Sequence, residues 1–277
     1  MNPYVMGCGQ NGRLRRILSA AIATLACAAP VAEAETITRA QYDVPIERYG
    51  HFALGRPHEY SRLTAASDAG RILTLELPAD EVFEDLQPRL VRMTADGFRE
   101  VLAIVSRRHD GARLVLIGLK GDGLEITAQS PPIGTPMRWL NPVGAADLDG
   151  DGQVEIAAVT TPHIGGTLRV YRREKGDLVQ IAALAGFSNH VYGSPELRLS
   201  AVVLIGGRMQ LVVPDASRRH LRIIALEKGR LIETGQCDLR ASVTGAIRSI
   251  SPLEISVGLS SGEQVVALND CPRKPEG

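Results

Sequence analysis

The feature that most constrains the fold is an acidic loop, Asp-Leu-Asp-Gly-Asp-Gly-Gln-Val-Glu, which occupies positions 147–155. Carboxylates alternate at Asp147, Asp149 and Asp151, and the glycines between them permit the left-handed backbone of a tight turn. Glu155 then opens an apolar segment. Hard oxygen ligands at this density are typical of calcium sites. The pattern predicts a turn wrapped around a cation and followed directly by a β-strand.

Short apolar segments run through the rest of the chain, and glycine, aspartate, asparagine or proline separates them. Typical examples are 101–105, 154–159, 167–171 and 209–213. Segments of this length with turn residues at both ends are typical of β-strands, whereas helices need longer amphipathic stretches. The pattern predicts an all-β fold.

The acidic loop also marks a repeat. Glu100, Glu155 and Gln210 are spaced 55 residues apart, and each precedes an apolar strand, a polar turn and a second strand. Weaker copies begin at Glu59 and Glu254, so that the repeat averages about 49 residues, the size of a propeller blade. We predict a β-propeller of five four-stranded blades, with six or seven as alternatives. The segment 36–46 is predicted to close the ring as the outer strand of the final blade.

The residues 141–156, Asn-Pro-Val-Gly-Ala-Ala-Asp-Leu-Asp-Gly-Asp-Gly-Gln-Val-Glu-Ile, resemble a blade of the FG-GAP or VCBS-type repeat proteins. The resemblance covers most of the chain after residue 34, but only this blade keeps the full loop motif. It implies a propeller, the fold also used as the head of integrin alpha subunits, and it implies no catalytic activity.

The resemblance also implies the ligands of one structural Ca²⁺ ion: Asp147, Asp149, Asp151, the backbone carbonyl of Gln153, and Glu155. An EF-hand is excluded because its twelfth position would be Ala158, which carries no carboxylate. The alternative is an acidic turn without a metal. Arg172, in the sequence Arg-Arg-Glu-Lys at 172–175, is interpreted as part of a solvated hairpin tip.

The N-terminus has the pattern of a signal peptide. Three arginines at 13, 15 and 16 precede an apolar run at 17–29, and Ala-Glu-Ala at 32–34 fits a cleavage site near Ala34. We therefore expect a signal peptide at 1–34, a single propeller domain at 35–277, and export to the periplasm or the medium. Cys27 lies in a poor lipobox, so no lipid anchor is expected, and no segment is long enough for a transmembrane helix.

The charge balance limits the classes of binding partner, and the cysteine content indicates the compartment. The chain has 31 basic and 31 acidic side chains, a balance that does not favour nucleic acid or an anionic membrane. Outside residues 1–34 the remaining cysteines are Cys237 and Cys271, which predict a disulfide in an oxidising compartment.

Polar turns on the face of the propeller opposite the calcium loop are predicted to converge. Histidines recur after three of the repeat anchors, and could bind a transition metal or, with arginines, an anion, or could simply be polar turn residues. The tryptophan is either an exposed stacking platform or a buried filler. The residues of this predicted ligand face are His109, Arg138, Trp139, His163, Asn189, His190, Arg218 and His220.

Three functions follow as hypotheses. The leading one is a calcium-stabilised, non-catalytic binding module for a protein or a glycan. The first alternative is a hydrolase or lyase that uses His163 or His190 as general base and an arginine to stabilise charge; the chain has no G-x-S-x-G or H-E-x-x-H motif. The second alternative is a purely structural envelope protein.

Overall fold

The computed structural model of the protein describes residues 35–94 and 97–272. These residues form nineteen β-strands and one 3-10 turn, Leu268–Asp270, so the predicted all-β class is confirmed. The predicted signal peptide at 1–34 lies outside the described residues. No helix in the described part of the chain is long and apolar enough to cross a membrane.

The first antiparallel meander consists of β1 (Ile37–Ile46), β2 (Glu59–Ser67) and β3 (Ile72–Glu76). Buried and partly buried residues alternate along β2 because successive side chains of a strand point to opposite faces. A short strand, β4 (Glu81–Phe83), pairs with β2 and with β6 (Arg99–Arg107) of the next meander.

The second and third meanders have four strands each. The second comprises β5 (Arg89–Arg92), β6 (Arg99–Arg107), β7 (Gly111–Lys120) and β8 (Gly123–Gln129). The third comprises β9 (Leu140–Ala146), β10 (Glu155–Thr160), β11 (Gly166–Glu174) and β12 (Asp177–Phe187). Every residue of β10 is buried, which explains why this strand reads as a continuous apolar run rather than an alternating one.

The fourth meander also has four strands: β13 (Ala201–Ile205), β14 (Arg208–Pro214), β15 (His220–Glu227) and β16 (Arg230–Asp238). The fifth has three strands among the described residues: β17 (Val243–Ser251), β18 (Glu254–Leu259) and β19 (Gly262–Ala267). The expected disulfide joins Cys237 of β16 to Cys271, and its two Cα atoms lie 4.7 Å apart. It ties the chain end after β19 to the fourth meander.

The hydrophobic core is divided among the junctions between successive meanders. One cluster of buried side chains joins the first and second meanders, and others join the second to the third, the third to the fourth, and the fourth to the fifth. This succession of packed meanders agrees with a propeller-like architecture. Pairing through β4 and a single bridge between β8 and β12 joins the first three meanders into one sheet, so the number of blades stays a prediction.

The prediction that segment 36–46 completes the final blade is wrong. This segment forms β1, which pairs with β2 along its length, from Ile37 opposite Ser67 to Ile46 opposite Glu59. Ile37 and Tyr42 are buried in the core cluster of the first and second meanders. The physical reason is proximity in sequence: the loop 47–58 is short, and closing a short loop costs less entropy than pairing with a strand at the far end of the chain.

Candidate functional site

The acidic loop connects the first two strands of the third meander. Asp147 caps the turn by accepting hydrogen bonds from the backbone N–H groups of Gly150 (2.7 Å) and Gly152 (3.0 Å), and both glycines have positive φ, 82° and 87°. One carboxylate oxygen each from Asp147, Asp149 and Asp151 lies within 4.8 Å of the others. Three of the five predicted ligands therefore lie close enough together to hold a metal ion, while calcium binding stays a prediction.

Glu155, another predicted ligand, has no exposed surface. Its Oε2 accepts a hydrogen bond from the backbone N–H of Leu148 (2.9 Å), and its Oε1 accepts one from the Arg172 guanidinium (2.6 Å). Burial raises the pKa of the Glu155 carboxyl, while the Leu148 N–H and Arg172 act in the opposite direction. Gln153 lies in the loop with its backbone N–H donating to Asp151 (2.8 Å).

Arg172 on β11 is the residue of this site that the sequence did not reveal. Its guanidinium contacts Asp149 (2.9 Å), Asp151 (3.0 Å) and Glu155, and the side chain is only 19% exposed. It is therefore not part of a solvated hairpin tip. Its register opposite Glu155 in the pairing of β10 with β11 brings it to the carboxylates. The loop thus already holds one internal cation.

The turn between β10 and β11 and the connection 188–200 lie at the other end of the third meander. They bring together two of the predicted histidines, because His163 Nε2 lies 2.8 Å from His190 Nδ1. His190 Nε2 lies 2.9 Å from the carbonyl oxygen of Ser194. Since a carbonyl oxygen only accepts, Nε2 of His190 carries the hydrogen, and Nδ1 of neutral His190 accepts from His163 Nε2–H. His163 Nδ1 is left with a lone pair.

Both histidines are neutral at pH 7. Burial lowers the pKa of His163 to about 4, assisted by the nearby His190, His51 and Arg218. Burial also lowers the pKa of His190 to about 4, and Arg218 acts in the same direction. The lowered pKa values therefore favour the neutral rings that the hydrogen bond between the two histidines requires.

Trp139 forms the floor beneath this pair. Its ring is stacked on His163 with centroids 6.0 Å apart and an interplanar angle of 5°, and it lies 4.8 Å from the His190 ring. The side chain is 1% exposed, and its Nε1–H donates to the carbonyl oxygen of Glu84 (2.9 Å). Trp139 is a buried filler and cannot be an exposed stacking platform.

A second histidine unit, which no sequence motif indicated, lies beside the pair. His51 Nδ1 is 2.6 Å from Oε1 of Glu84, whose other oxygen accepts a hydrogen bond from the Ser106 hydroxyl. The Tyr192 hydroxyl donates to the backbone carbonyl of His51 (3.0 Å), and its ring contacts His163 edge to face. We name His51, His163 and His190, with Trp139 and Tyr192, the histidine cluster. His51 comes from the loop before β2, and no local motif links it to the others.

Arg218 stands close enough to lower the pKa of both paired histidines. One of its terminal nitrogens donates to the Ser188 hydroxyl (3.0 Å), whereas its buried Nε has no hydrogen-bond partner among the described residues. A buried unpartnered donor on a charged group is uncommon and suits an interaction with negative charge.

The remaining residues of the predicted ligand face do not join the histidine cluster. His109 is exposed in the turn between β6 and β7, Arg138 donates to its neighbour's carbonyl, and His220 is paired with Asp215 (3.0 Å). Asn189 is fully buried and donates to the carbonyl oxygen of Asn141 (3.1 Å). Among the described residues, the only group of three or more metal-ligating side chains within ligand reach of one another is the aspartate triad.

Comparison with known proteins finds likenesses among solved structures. No protein-family model matches the chain, and no curated protein matches it either. A solved structure, a putative 6-phosphogluconolactonase from Bacteroides fragilis, is similar with a TM-score of 0.41 and 14% sequence identity. The match covers 78% of this chain and 67% of that one.

The prediction of a non-catalytic binding module is contradicted by this comparison, because the similar structure bears the name of an enzyme. A likeness at this identity says nothing about the substrate of this chain, so the activity has to be argued from the histidine cluster itself.

Proposed function

We propose that the protein is a hydrolase or lyase whose acid–base groups lie in the histidine cluster. The observation that carries the proposal is the hydrogen-bonded chain from the Ser194 carbonyl through His190 to His163, which leaves Nδ1 of His163 as a lone-pair acceptor. General-base catalysis needs such a fixed, unprotonated nitrogen within reach of a substrate proton.

The three histidines have different roles in this proposal. His190 uses both ring nitrogens and is a positioning residue for His163. His51 is oriented through Nδ1 by the carboxylate of Glu84, and no described residue bonds its Nε2. A histidine held in this way by a carboxylate is the usual arrangement of a general base. His163 and His51 are therefore the two proton acceptors of the cluster.

Arg218 completes the arrangement. Its unpartnered Nε supplies a donor and a positive charge near the histidines, where negative charge would develop on a carbonyl oxygen during attack of water or removal of an α-proton. The reaction class is therefore hydrolysis of an ester or lactone, or elimination next to a carboxyl group.

Activity measurements with variants test this proposal. Initial rates are measured with a panel of soluble esters and lactones and with uronate oligosaccharides. Elimination in a uronate oligosaccharide creates a carbon–carbon double bond in the product. His51→Gln should lower the rate of any turned-over substrate by about 10²–10⁴-fold, with His163→Gln also impaired. His109→Gln is the matched control, because that histidine is exposed outside the cluster. A rate that both cluster variants leave unchanged, or no turnover of the panel, contradicts the proposal.

We further propose that Ca²⁺ is a structural ion bound by Asp147, Asp149 and Asp151. Three converging carboxylates fit a hard cation, while Arg172 already neutralises part of their charge. Membership of the FG-GAP type and export after cleavage near Ala34 are part of the same proposal, supported by the loop motif and the N-terminal sequence. The ion would stabilise the scaffold at the end of the meander away from the histidines.

A further inference from the structure

A cleft of about 550 Å³ lies where four separate chain segments meet. Arg56 comes from the loop after β1, Arg89 begins β5, Pro142 and Val143 belong to β9, and Arg198 precedes β13. We name it the arginine cleft. We propose that the arginine cleft binds a small organic anion, a carboxylate attached to a compact apolar body.

The charge of the cleft supports an anionic ligand. Arg198 is neutralised by Glu196, which accepts from its Nε (2.9 Å) and from a terminal nitrogen (3.0 Å). Arg89 uses one terminal nitrogen for the buried carboxylate of Asp85 (2.6 Å). Arg56 has no ion pair among the described residues and is exposed. The lining therefore carries one positive charge without an ion pair, that of Arg56, whose planar donors suit two-point recognition of a carboxylate.

The floor of the cleft supports an apolar body on the ligand. Leu86, Pro142, Val143 and Leu197 contribute apolar surface, whereas Gln87 and Ser200 supply polar groups. Small-molecule sites usually combine an apolar lining with a few convergent polar groups that set orientation.

Rigid backbone holds the arginine cleft in shape. The backbone N–H of Gly193 donates to the carbonyl oxygen of Ala53 (2.9 Å), which joins the loop of Arg56 to the connection 188–200. A Cβ atom on Gly55 would lie 2.2 Å from the carbonyl oxygen of Gly193, so these two segments meet more closely than any larger residue allows. The connection 188–200 also contributes His190 to the histidine cluster, but the cleft needs no histidine to bind an anion.

Calorimetric titration with a matched pair of probes tests the inference. Benzoate carries a carboxylate on an apolar ring, and benzyl alcohol has the same ring without the charge. Benzoate should bind at least roughly tenfold more tightly than benzyl alcohol, and Arg56→Ala should weaken it by roughly tenfold. Arg89→Ala should have a similar effect, and Arg208→Ala, which removes an exposed arginine paired with Glu227, is the control.

His163→Gln separates this inference from the proposed activity, because it should impair turnover and leave benzoate binding within twofold. Equal binding of the two probes would overturn the inference. So would undetectable benzoate binding, or an Arg56→Ala variant that binds benzoate like the parent. Because Arg89→Ala leaves Asp85 buried without its partner, its folding is verified by circular dichroism and Arg56→Ala decides the outcome.

Discussion

The two ends of the third meander differ in how their polar residues are brought together. At one end, the acidic loop takes Asp147, Asp149 and Asp151 from consecutive positions of one turn. At the other end, the histidine cluster takes His51, His163 and His190 from three distant segments. The first site is visible as a motif, and the second is assembled by the fold.

The difference shows that a clear sequence motif and the capacity of a site for catalysis are separate properties. The acidic loop has a clear pattern, but Arg172 and its backbone hydrogen bonds make it a well-satisfied structural element. The histidine cluster has no pattern, but it has perturbed pKa values, an unpartnered arginine donor and fixed tautomers, which are the usual marks of a reactive site. Four predictions test this contrast.

Trp139→Ala should have the largest effect, because it removes a fully buried ring from beneath the histidine pair. Loss of a buried tryptophan lowers the free energy of unfolding by about 3–5 kcal/mol. Urea denaturation measures the change. Val265→Ala is the control, since that side chain is 61% exposed and should change stability by less than about 0.5 kcal/mol. A loss below about 1 kcal/mol for Trp139→Ala would show that the Trp139 ring is not tightly packed beneath the histidine pair.

Calcium binding should have the second-largest effect on the free energy of unfolding, and it acts at the acidic loop of the third meander. Saturation at about a hundred times the Kd should raise the free energy of unfolding by about 2.7 kcal/mol over the protein in chelator. Asp149→Ala should remove this difference, whereas Asp238→Ala, whose side chain is 89% exposed, should not. Metal analysis after dialysis against trace calcium should find about one equivalent. Zero or three equivalents would count against the assignment.

Acid should weaken the end of the third meander that carries the histidine pair. The pKa of His163 and of His190 is lowered from 6.5 to about 4, so the unfolded chain binds more protons than the native one between these values. The stabilising contribution is complete above pH 6.5 and is lost as the pH falls towards 4. Discounted for solvent screening, the contribution is about 2 kcal/mol for each histidine.

The slope of stability against pH between 6.5 and 4.5 measures this effect. His163→Gln should have a shallower slope than the parent, because one proton-linked group is gone. His109→Gln should retain the parental slope, since His109 is exposed. Identical slopes in all three proteins would mean that the pair is not held neutral by the fold.

Arg172→Gln should have the smallest effect, about 1–2 kcal/mol in chelator, because it leaves three neighbouring carboxylates without their cation. The loss should shrink in calcium, since the ion replaces the missing positive charge. Arg173→Gln, which breaks a separate pair with Glu100, should show no calcium dependence. Equal losses of unfolding free energy with and without calcium would show that Arg172 does not interact with the metal site.

Sequence patterns predicted much of the fold because strand periodicity and turn chemistry are local. The short apolar segments predicted the all-β class, and the spacing of Glu100, Glu155 and Gln210 matches the start of comparable strands in three meanders. The placement of β1 was not predictable from these patterns. An alternating strand fits either edge, and the choice is made by the burial of Ile37 and Tyr42 in the first core cluster.

The candidate site was predictable only in part. His163 and His190 were recognised as residues of polar connections on one face, but their direct hydrogen bond depends on the packing of the connection 188–200. His51 and Glu84 carried no signal, because a histidine in a loop and a glutamate after a short strand are common everywhere. Their pairing exists because the first and second meanders pack side by side.

The sequence by itself determined the acidic loop, the strands and the cysteine pair, since each depends on neighbouring residues or on backbone preferences that act locally. Only the tertiary structure decided that Arg172 faces the carboxylates, that β1 pairs with β2, and that histidines and arginines from separate meanders share one region. The physical reason is that side-chain chemistry between distant segments depends on register and core packing, and these are properties of the whole fold.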